Sequence, residues 1–251
     1  MKNNNTGWGN VASWYDDLIE TGGNYQKDVI LPDVLSILAI KKGEKVLDLA
    51  CGQGFFSRAY QALDADVVGV DISKELINIA KNYKDGIEYF ASPADKLDFL
   101  KNSSIDKTTI ILALQNISNV QAVFGECSRV LKKNGSLVFV LNHPAFRIPK
   151  ESSWGFDEKR NVQYRIVDRY MSEFKIAINM HPGGQNSDFT SSFHRPLQYY
   201  FKALKGAGFA VRNLHELISN KESQPGVRAA AENTARKEIP LFMTIEAVKM
   251  L

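Results

Sequence analysis

Short runs of β-branched and apolar residues alternate with helical patterns between Lys45 and Asn142, and this alternation limits the folds open to the chain. The runs KVLDLA, DVVGVD, IEYFAS, TTIILAL and SLVFVLN have the length and composition of strands. Helical patterns separate them in FFSRAYQALDA, in SKELINIAKNY and from about Asn119 to Leu131. Strands that alternate with helices predict a parallel sheet with helices on both faces and right-handed crossovers.

The regions on either side of this core have different patterns. Before Lys45, helical spacing predicts one helix over WGNVASWYDDLIE and another from about Asn24 to Ile40, with Pro32 near a turn or kink. Residues 142–196 break the rhythm, and their aromatic and alternating stretches predict an insertion of two or three antiparallel strands. The pattern resumes with the helix LQYYFKALKGAGF, the strand AVRNLHELI, the helical VRAAAENTARKE and a last strand, PLFMTIEAVKM.

Composition excludes several classes of protein. The chain has 251 residues, 44% of them hydrophobic, which is enough for a full core. The formal charge of +3, from 31 basic and 28 acidic residues, indicates no strong nucleic-acid field. The two cysteines match neither a disulfide framework nor a zinc site, so no metal is expected. The polar start and the lack of a long apolar stretch favour a soluble, cytoplasmic protein without a membrane partner.

A glycine turn follows the first strand of the core, at Gly52-Gln53-Gly54. Doubly wound folds bind nucleotides at this turn, and glycines let the backbone approach a ligand closely. A dinucleotide fingerprint requires a third glycine, where this chain has Ser57. Asp71, nineteen residues beyond Gly52, suits a ribose in either case. The glycines alone therefore leave both a dinucleotide and another nucleoside ligand open.

Asp48 decides between these ligands. A carboxylate beside the turn would repel a pyrophosphate, whereas it favours a ligand that carries an ammonium and a sulfonium group. S-adenosylmethionine carries both groups, together with a ribose for Asp71. The residues therefore favour S-adenosylmethionine over a nicotinamide dinucleotide.

Five segments in order resemble the motifs of a known family, the class I S-adenosylmethionine-dependent methyltransferases. They are VLDLACGQG, VVGVDIS, ASPADKL, IDKTTIILALQNI and ECSRVLKKNGSLVFV. The resemblance is strong over roughly residues 40–141, and Ala50 departs from it, because the family usually has glycine there. It implies a Rossmann-like, doubly wound, mostly parallel seven-stranded sheet with an antiparallel last strand. The expected single domain, 1–251, consists of N-terminal helices (1–40), cofactor core (41–141), inserted substrate cover (142–196) and C-terminal elements (197–251).

The resemblance also implies roles for individual residues. Asp48 supports the methionine ammonium, Asp71 accepts hydrogen bonds from the ribose hydroxyls, and Ile72 packs on the adenine. The other expected cofactor contacts are Ala50, Cys51, Gly52 and Gly54 along the methionine, Ala94 and Asp95 at the adenine, Gln115 and Asn116 beside the methyl, and Tyr15 or Tyr25 closing the pocket. As an alternative, Asp71 or Asp95 caps a helix, and Gln115 and Asn116 cap the helix that follows strand four.

The acceptor is expected over the carboxyl ends of strands four and five, beneath the insertion. After strand four the chain reads Gln115-Asn116-Ile117-Ser118, which is not the motif of exocyclic amine methyltransferases, and neither cysteine suits covalent attack on a pyrimidine. O-, N- or C-methylation of a small molecule is left, with S-adenosylhomocysteine as product. A macromolecular acceptor and a non-catalytic S-adenosylmethionine-binding protein are the alternatives.

Histidines, arginines and aromatic residues of the insertion are the candidates for the acceptor site. The general-base candidates are His143 and His194, because imidazole titrates near neutrality. The substrate-binding candidates are Phe146, Arg147, Trp154, Tyr170 and Arg195. The alternative is that the histidines bind backbone at turns, and that Arg147 and Arg195 pair with Glu151 and Asp157.

Overall fold

The computed structural model describes residues 8–13, 16, 23–180 and 189–250. Its strands are β1 (Lys45–Leu49), β2 (Asp66–Asp71), β3 (Glu88–Ala91), β4 (Ile105–Ile111), β5 (Leu131–Asn142), β6 (Ser152–Asp157), β7 (Val162–Val167), β8 (Phe174–Asn179), β9 (Phe189–His194), β10 (Phe209–Leu217) and β11 (Phe242–Lys249). Seven of them form one sheet in the order β10-β11-β5-β4-β1-β2-β3. Only β11 runs antiparallel to its neighbours within this sheet. The predicted fold class is confirmed.

Helices lie between the strands of this sheet. They are α1 (Leu31–Leu38), α2 (Phe55–Gln61), α3 (Lys74–Asn82), α4 (Val120–Val130), α5 (Leu197–Gly206) and α6 (Ala229–Glu238). A π-helical turn, Gln26–Ile30, leads into α1, and Pro32 lies in the first turn of α1, where its missing N–H breaks no helical bond. The predicted first helix begins as a 3₁₀ turn at Trp8–Val11, and most of its remainder falls outside the described residues. No helix in the described ranges is long and apolar enough to cross a membrane.

Alternation along β1 sends its side chains to two different hydrophobic layers. Leu47 and Leu49 belong to the larger cluster, which α4 and α5 cover. Val46 belongs to the opposite cluster, which includes residues of α1 and α2. Since side chains two apart in a strand share a face, Asp48 lies on the side of Val46 and faces α2. A carboxylate is therefore placed inside an apolar layer.

The insertion forms two antiparallel hairpins, β6–β7 and β8–β9, each a separate two-stranded sheet. The predicted number of strands, two or three, was too low. The strands of the first hairpin are mostly half-buried or exposed.

Candidate active site

A cavity of about 460 Å³ opens at the carboxyl ends of β1, β2 and β4. Its wall combines the turn after β1, the end of β2, the loop after β3 and the segment after β4. The lining residues are Trp8, Ala50, Gly52, Asp71, Ile72, Leu76, Ser92, Pro93, Ala94, Asp95, Lys96, Ile111, Leu112, Ala113, Asn116, Ile117, Ser118, Asn119 and Thr190. Doubly wound sheets bind ligands at this edge, and the volume suits a nucleoside-sized ligand.

Asp71 ends β2 and projects into this cavity, with 8% of its surface exposed. Its carboxylate accepts hydrogen bonds from the backbone N–H groups of Gly52 (2.9 Å) and Ser73 (2.8 Å). Burial raises the pKa of Asp71, while these two amides oppose the rise. The N-cap of α3 is Ser73, which accepts from Leu76 N–H, so capping does not occupy Asp71. The carboxylate oxygens retain lone pairs for ligand hydroxyls.

The turn after β1 is held in left-handed backbone conformations. Ala50 has φ of 59°, a conformation that costs an alanine roughly 1–2 kcal/mol relative to the right-handed region. Gly54 has φ of 84°, and a Cβ at this position would collide with the hydroxyl of Tyr89. Only glycine satisfies both conditions at Gly54. The turn therefore presents its backbone, at Ala50 and Gly52, to the cavity.

Asp48 lies beneath this turn, 2% exposed, and is not part of the cavity wall. Its carboxylate accepts from the hydroxyls of Ser57 (2.6 Å) and Thr109 (3.1 Å). Burial raises the pKa of Asp48 to about 6; the two hydroxyls oppose the rise and the negative charge of Asp71 adds to it. No cation contributes to this shift. A buried carboxylate without a cationic partner is suited to a positively charged ligand above it.

Comparison with known proteins identifies the architecture. The family described as "Methyltransferase domain" matches residues 47–139. An S-adenosylmethionine dependent methyltransferase from Mesorhizobium loti superposes with a TM-score of 0.69 at 26% identity, over 86% of this chain and 96% of that chain. The chain is therefore similar to class I S-adenosylmethionine-dependent methyltransferases in sequence over residues 47–139 and in fold over most of its length.

Two curated relatives are demethylmenaquinone methyltransferases. The protein from Paenarthrobacter aurescens is 34% identical over 138 residues, which is 53% of each chain. The protein from Renibacterium salmoninarum is 33% identical over 140 residues, which is 54% of this chain and 57% of that protein. The chain therefore spans about half the length of the curated relatives that it matches.

The described cofactor candidates of this methyltransferase fold divide into two groups. The cavity wall includes Ala50, Gly52, Asp71, Ile72, Ala94, Asp95 and Asn116. It does not include Asp48, Cys51, Gly54, Gln115 or Tyr25. Tyr15 lies outside the described residues. Two features of the wall fit S-adenosylmethionine. One is a buried carboxylate with free lone pairs, and the other is a turn that presents its backbone to the cavity.

The candidates that do not line the cavity are engaged elsewhere. Gln115 donates to the carbonyl of Leu112, and its own side-chain oxygen is buried without a partner among the described residues. Tyr25 shares a hydrogen bond with the hydroxyl of Ser219 and packs edge-on against Phe242. The structure thus corrects the expectation that Gln115 lines the floor and that Tyr25 closes the pocket, because their polar groups turn toward other partners.

The acceptor-site candidates also lie away from this wall. Among the described residues that line the cavity, none is His143, His194, Phe146, Arg147, Trp154, Tyr170 or Arg195. The insertion does reach the cavity, however, through Thr190 of β9. Asn116, another lining residue, donates to the carbonyl of Ser191 (3.0 Å). Thr190 was not among the predicted site residues, because a lone threonine has no distinguishing pattern in the sequence.

His143 and His194 have other partners than an acceptor. The Nδ1 atom of His143 accepts from the backbone N–H groups of Ala145 and Phe146, and its Nε2 lies 2.8 Å from Glu216 Oε1. His194 Nε2 lies 2.8 Å from the carbonyl of Tyr170. Burial lowers the pKa of both imidazoles. These contacts correspond to the alternative stated for the histidines, namely bonding at turns, and they leave His143 no free nitrogen to accept a proton.

Three of the five substrate candidates have protein partners away from the cavity wall. Trp154 lies 41% exposed on the first hairpin, with the guanidinium of Arg165 5.0 Å from its ring centroid. The Tyr170 hydroxyl accepts from Leu197 N–H. Phe146 packs its ring on His143 at 4.7 Å. Each side chain therefore stabilises the insertion itself.

Replacing Asp71 with alanine is expected to raise the dissociation constant for S-adenosylmethionine roughly tenfold to hundredfold. Two ribose hydroxyls would lose a charged acceptor, which is worth about 1.5–3 kcal/mol. Isothermal titration calorimetry measures the change. Asp66→Ala is the matched control, since this exposed aspartate begins the same strand and should not affect binding. Unchanged affinity in a folded Asp71→Ala protein contradicts the assignment.

Proposed function

We propose that the protein transfers a methyl group from S-adenosylmethionine to a small-molecule acceptor by in-line displacement. The observation that carries the proposal is the cavity at the carboxyl ends of β1, β2 and β4, with a buried carboxylate, Asp71, in its wall. The match of residues 47–139 to a methyltransferase family supports the reaction, and the names of the curated relatives support a small acceptor.

When bound, S-adenosylmethionine supplies an electrophilic methyl group on a sulfonium. Asp71 would hold the ribose, Ile72 and Ala94 would pack on the adenine, and Asp95 would accept from the adenine amino group. Asp48 would support the ammonium through the turn above it. The chain contributes to rate by orienting the two reactants and by excluding water.

The insertion serves as a cover over the acceptor in this proposal. Thr190 in the cavity wall and the hydrogen bond from Asn116 to Ser191 support this role, because they join the second hairpin to the segment after β4. Neither histidine of the insertion is assigned as a base. Both ring nitrogens of His143 have protein partners, and His194, whose Nε2 bonds to the carbonyl of Tyr170, does not line the cavity. A reducing, cytoplasmic setting belongs to the proposal, as Cys51 and Cys127 are buried free thiols.

The proposal is tested in two stages with the wild-type protein. Calorimetry with S-adenosylmethionine, S-adenosylhomocysteine and NAD should show binding of the first two only. Labelled methyl incorporation from S-adenosylmethionine into fractionated metabolite pools should then identify the acceptor. Binding of NAD without binding of S-adenosylmethionine or S-adenosylhomocysteine would contradict S-adenosylmethionine as the cofactor. Labelling confined to RNA or protein would favour a macromolecular acceptor, and cofactor binding without any labelling would favour a non-catalytic binding protein.

A further inference from the structure

Arg147 lies in the loop after β5, and its guanidinium has neither a hydrogen-bond nor an ion-pair partner in the described part of the chain. The side chain is half-buried, so it has lost part of its hydration. The positive charge of Arg165 acts on Arg147, but Arg165 does have partners. It donates to the carbonyl of Phe146 and to the hydroxyl of Ser152. A half-buried guanidinium without an acceptor is costly, and it is an available donor for a ligand.

Two aromatic rings form a wall beside this guanidinium. The guanidinium carbon of Arg147 lies 5.0 Å from the centroid of Phe242, and Phe242 packs edge-on against Tyr25 with centroids 5.5 Å apart. The ammonium of Lys221 lies 4.8 Å from the Tyr25 ring. Each ring therefore has a cation against it, and the surface combines apolar area with positive charge.

The charges around Arg147 are not balanced by a carboxylate. Burial lowers the pKa of its guanidinium, and the positive charge of Arg165 lowers it further. The carboxylate of Glu216, at the end of β10, is engaged with the ring of His143 at 2.8 Å. Two arginines thus lie close together and neither forms an ion pair with Glu216, an arrangement that favours an added anion at Arg147.

Arg147 follows β5 and Phe242 begins β11, so this surface lies on the β5 side of the cavity, where an acceptor is expected. Leu112 lines the cavity and also packs against the hydrophobic cluster that contains Tyr25 and Phe242. Its N–H donates to Val140 of β5, so it lies between the ends of β4 and β5. The cofactor residues lie toward β1 and β2, whereas Arg147 lies beyond Leu112 on the other side.

We propose that Arg147 binds an acidic group of the methyl acceptor against the aromatic wall of Tyr25 and Phe242. The inference rests on the proposed methyltransferase function and specifies its substrate class, an anionic small molecule with an apolar body. The planar guanidinium group of arginine binds a carboxylate through two parallel charge-assisted hydrogen bonds. Arg147 lies outside the segment 47–139 that matches the methyltransferase family, which is consistent with a role in acceptor choice.

Benzoate is a suitable probe because it joins one carboxylate to an apolar ring, and benzamide is its neutral counterpart. Both are titrated into the complex of the full chain with S-adenosylhomocysteine and followed by ligand-observed NMR. Benzoate should bind at least tenfold more tightly than benzamide. Arg147→Met should remove that preference, Arg147→Lys should retain part of it, and Arg160→Met, a change at an exposed arginine of the first hairpin, should have no effect.

Three outcomes overturn the inference. One is failure of benzoate to bind at millimolar concentration, and another is equal binding by Arg147→Met. The third is a tenfold loss of S-adenosylhomocysteine affinity in Arg147→Met, because the guanidinium would then bind the carboxylate of the cofactor. The proposed function fails separately, if the wild-type protein does not bind S-adenosylhomocysteine.

Discussion

Replacing Arg195 with methionine is expected to lower the free energy of unfolding by about 2–4 kcal/mol. The side chain is only 5% exposed, and its guanidinium donates to the carbonyls of Leu114 (3.3 Å), Ile117 (2.8 Å) and Ser118 (2.9 Å). Methionine has a similar length but donates no hydrogen bond, so three carbonyls lose a charged donor. Urea unfolding followed by circular dichroism measures the change.

The same substitution should also weaken cofactor binding, because Arg195 fixes a segment of the cavity wall. Ile117 and Ser118, two of its acceptors, line the cavity, and Asn116 lies next to them. We expect a loss of affinity for S-adenosylhomocysteine of several-fold, whereas the sequence alone placed Arg195 in the acceptor site.

The matched control is Arg169→Met, at another arginine of the insertion. Arg169 is more than half exposed and forms one ion pair with Glu151 (3.1 Å), which is worth less than about 1 kcal/mol. Arg195→Lys should recover part of the stability, since one ammonium reaches fewer of the three carbonyls. If Arg195→Met were as stable as wild type, the structural role of Arg195 would be wrong.

The sequence predicted which residues line the cavity where position along a strand determines position in space. Asp71 ends β2 and Gly52 follows β1, two neighbouring strands of a parallel sheet, so both must meet at its carboxyl edge, and a hydrogen bond joins them. Periodicity was sufficient for these two residues because the topology leaves little freedom. Ala94 and Asp95, in the loop after β3, were expected from the family resemblance, and both line the cavity.

The sequence failed where a polar side chain finds its partner far along the chain. His143 bonds to Glu216, 73 residues away, and Arg195 bonds to Leu114, 81 residues away. Both appeared available for chemistry when read in isolation, and only packing reveals that they are occupied. Ser57 and Thr109 were missed for the same reason, since nothing local marks them as the donors to Asp48.

Asp48 is expected to make the stability of the ligand-free protein fall as pH rises from about 4 to about 6. Its pKa in the folded protein is about 6, above the ordinary value of 3.8, so the folded state retains a proton that the unfolded state has released. A difference of about two pKa units corresponds to roughly 3 kcal/mol, present below pH 4 and lost above pH 6. Asp48→Asn should lack this decline.

The comparison of wild type with Asp48→Asn removes this carboxylate together with its repulsion of Asp71, whose own pKa is also raised. Asp106 and Glu126 have lowered pKa values and make stability rise with pH, but they do so equally in both proteins. The measured quantity is therefore the difference in unfolding free energy between the two proteins at pH 4 and at pH 7. Equal pH profiles would show that Asp48 is ionised throughout this range.

Cofactor binding should have the opposite pH dependence. If Asp48 supports the ammonium of S-adenosylmethionine, binding favours its ionised form, and the affinity should rise roughly tenfold between pH 5 and pH 7. Binding at pH 5 should also release a proton, which calorimetry detects in buffers of different ionisation enthalpy. Asp48→Asn should be more stable at neutral pH, bind the cofactor more weakly and lose most of this proton release. A carboxylate buried without a cation thus lowers the stability of the ligand-free protein, and the same carboxylate raises the affinity for a positively charged ligand.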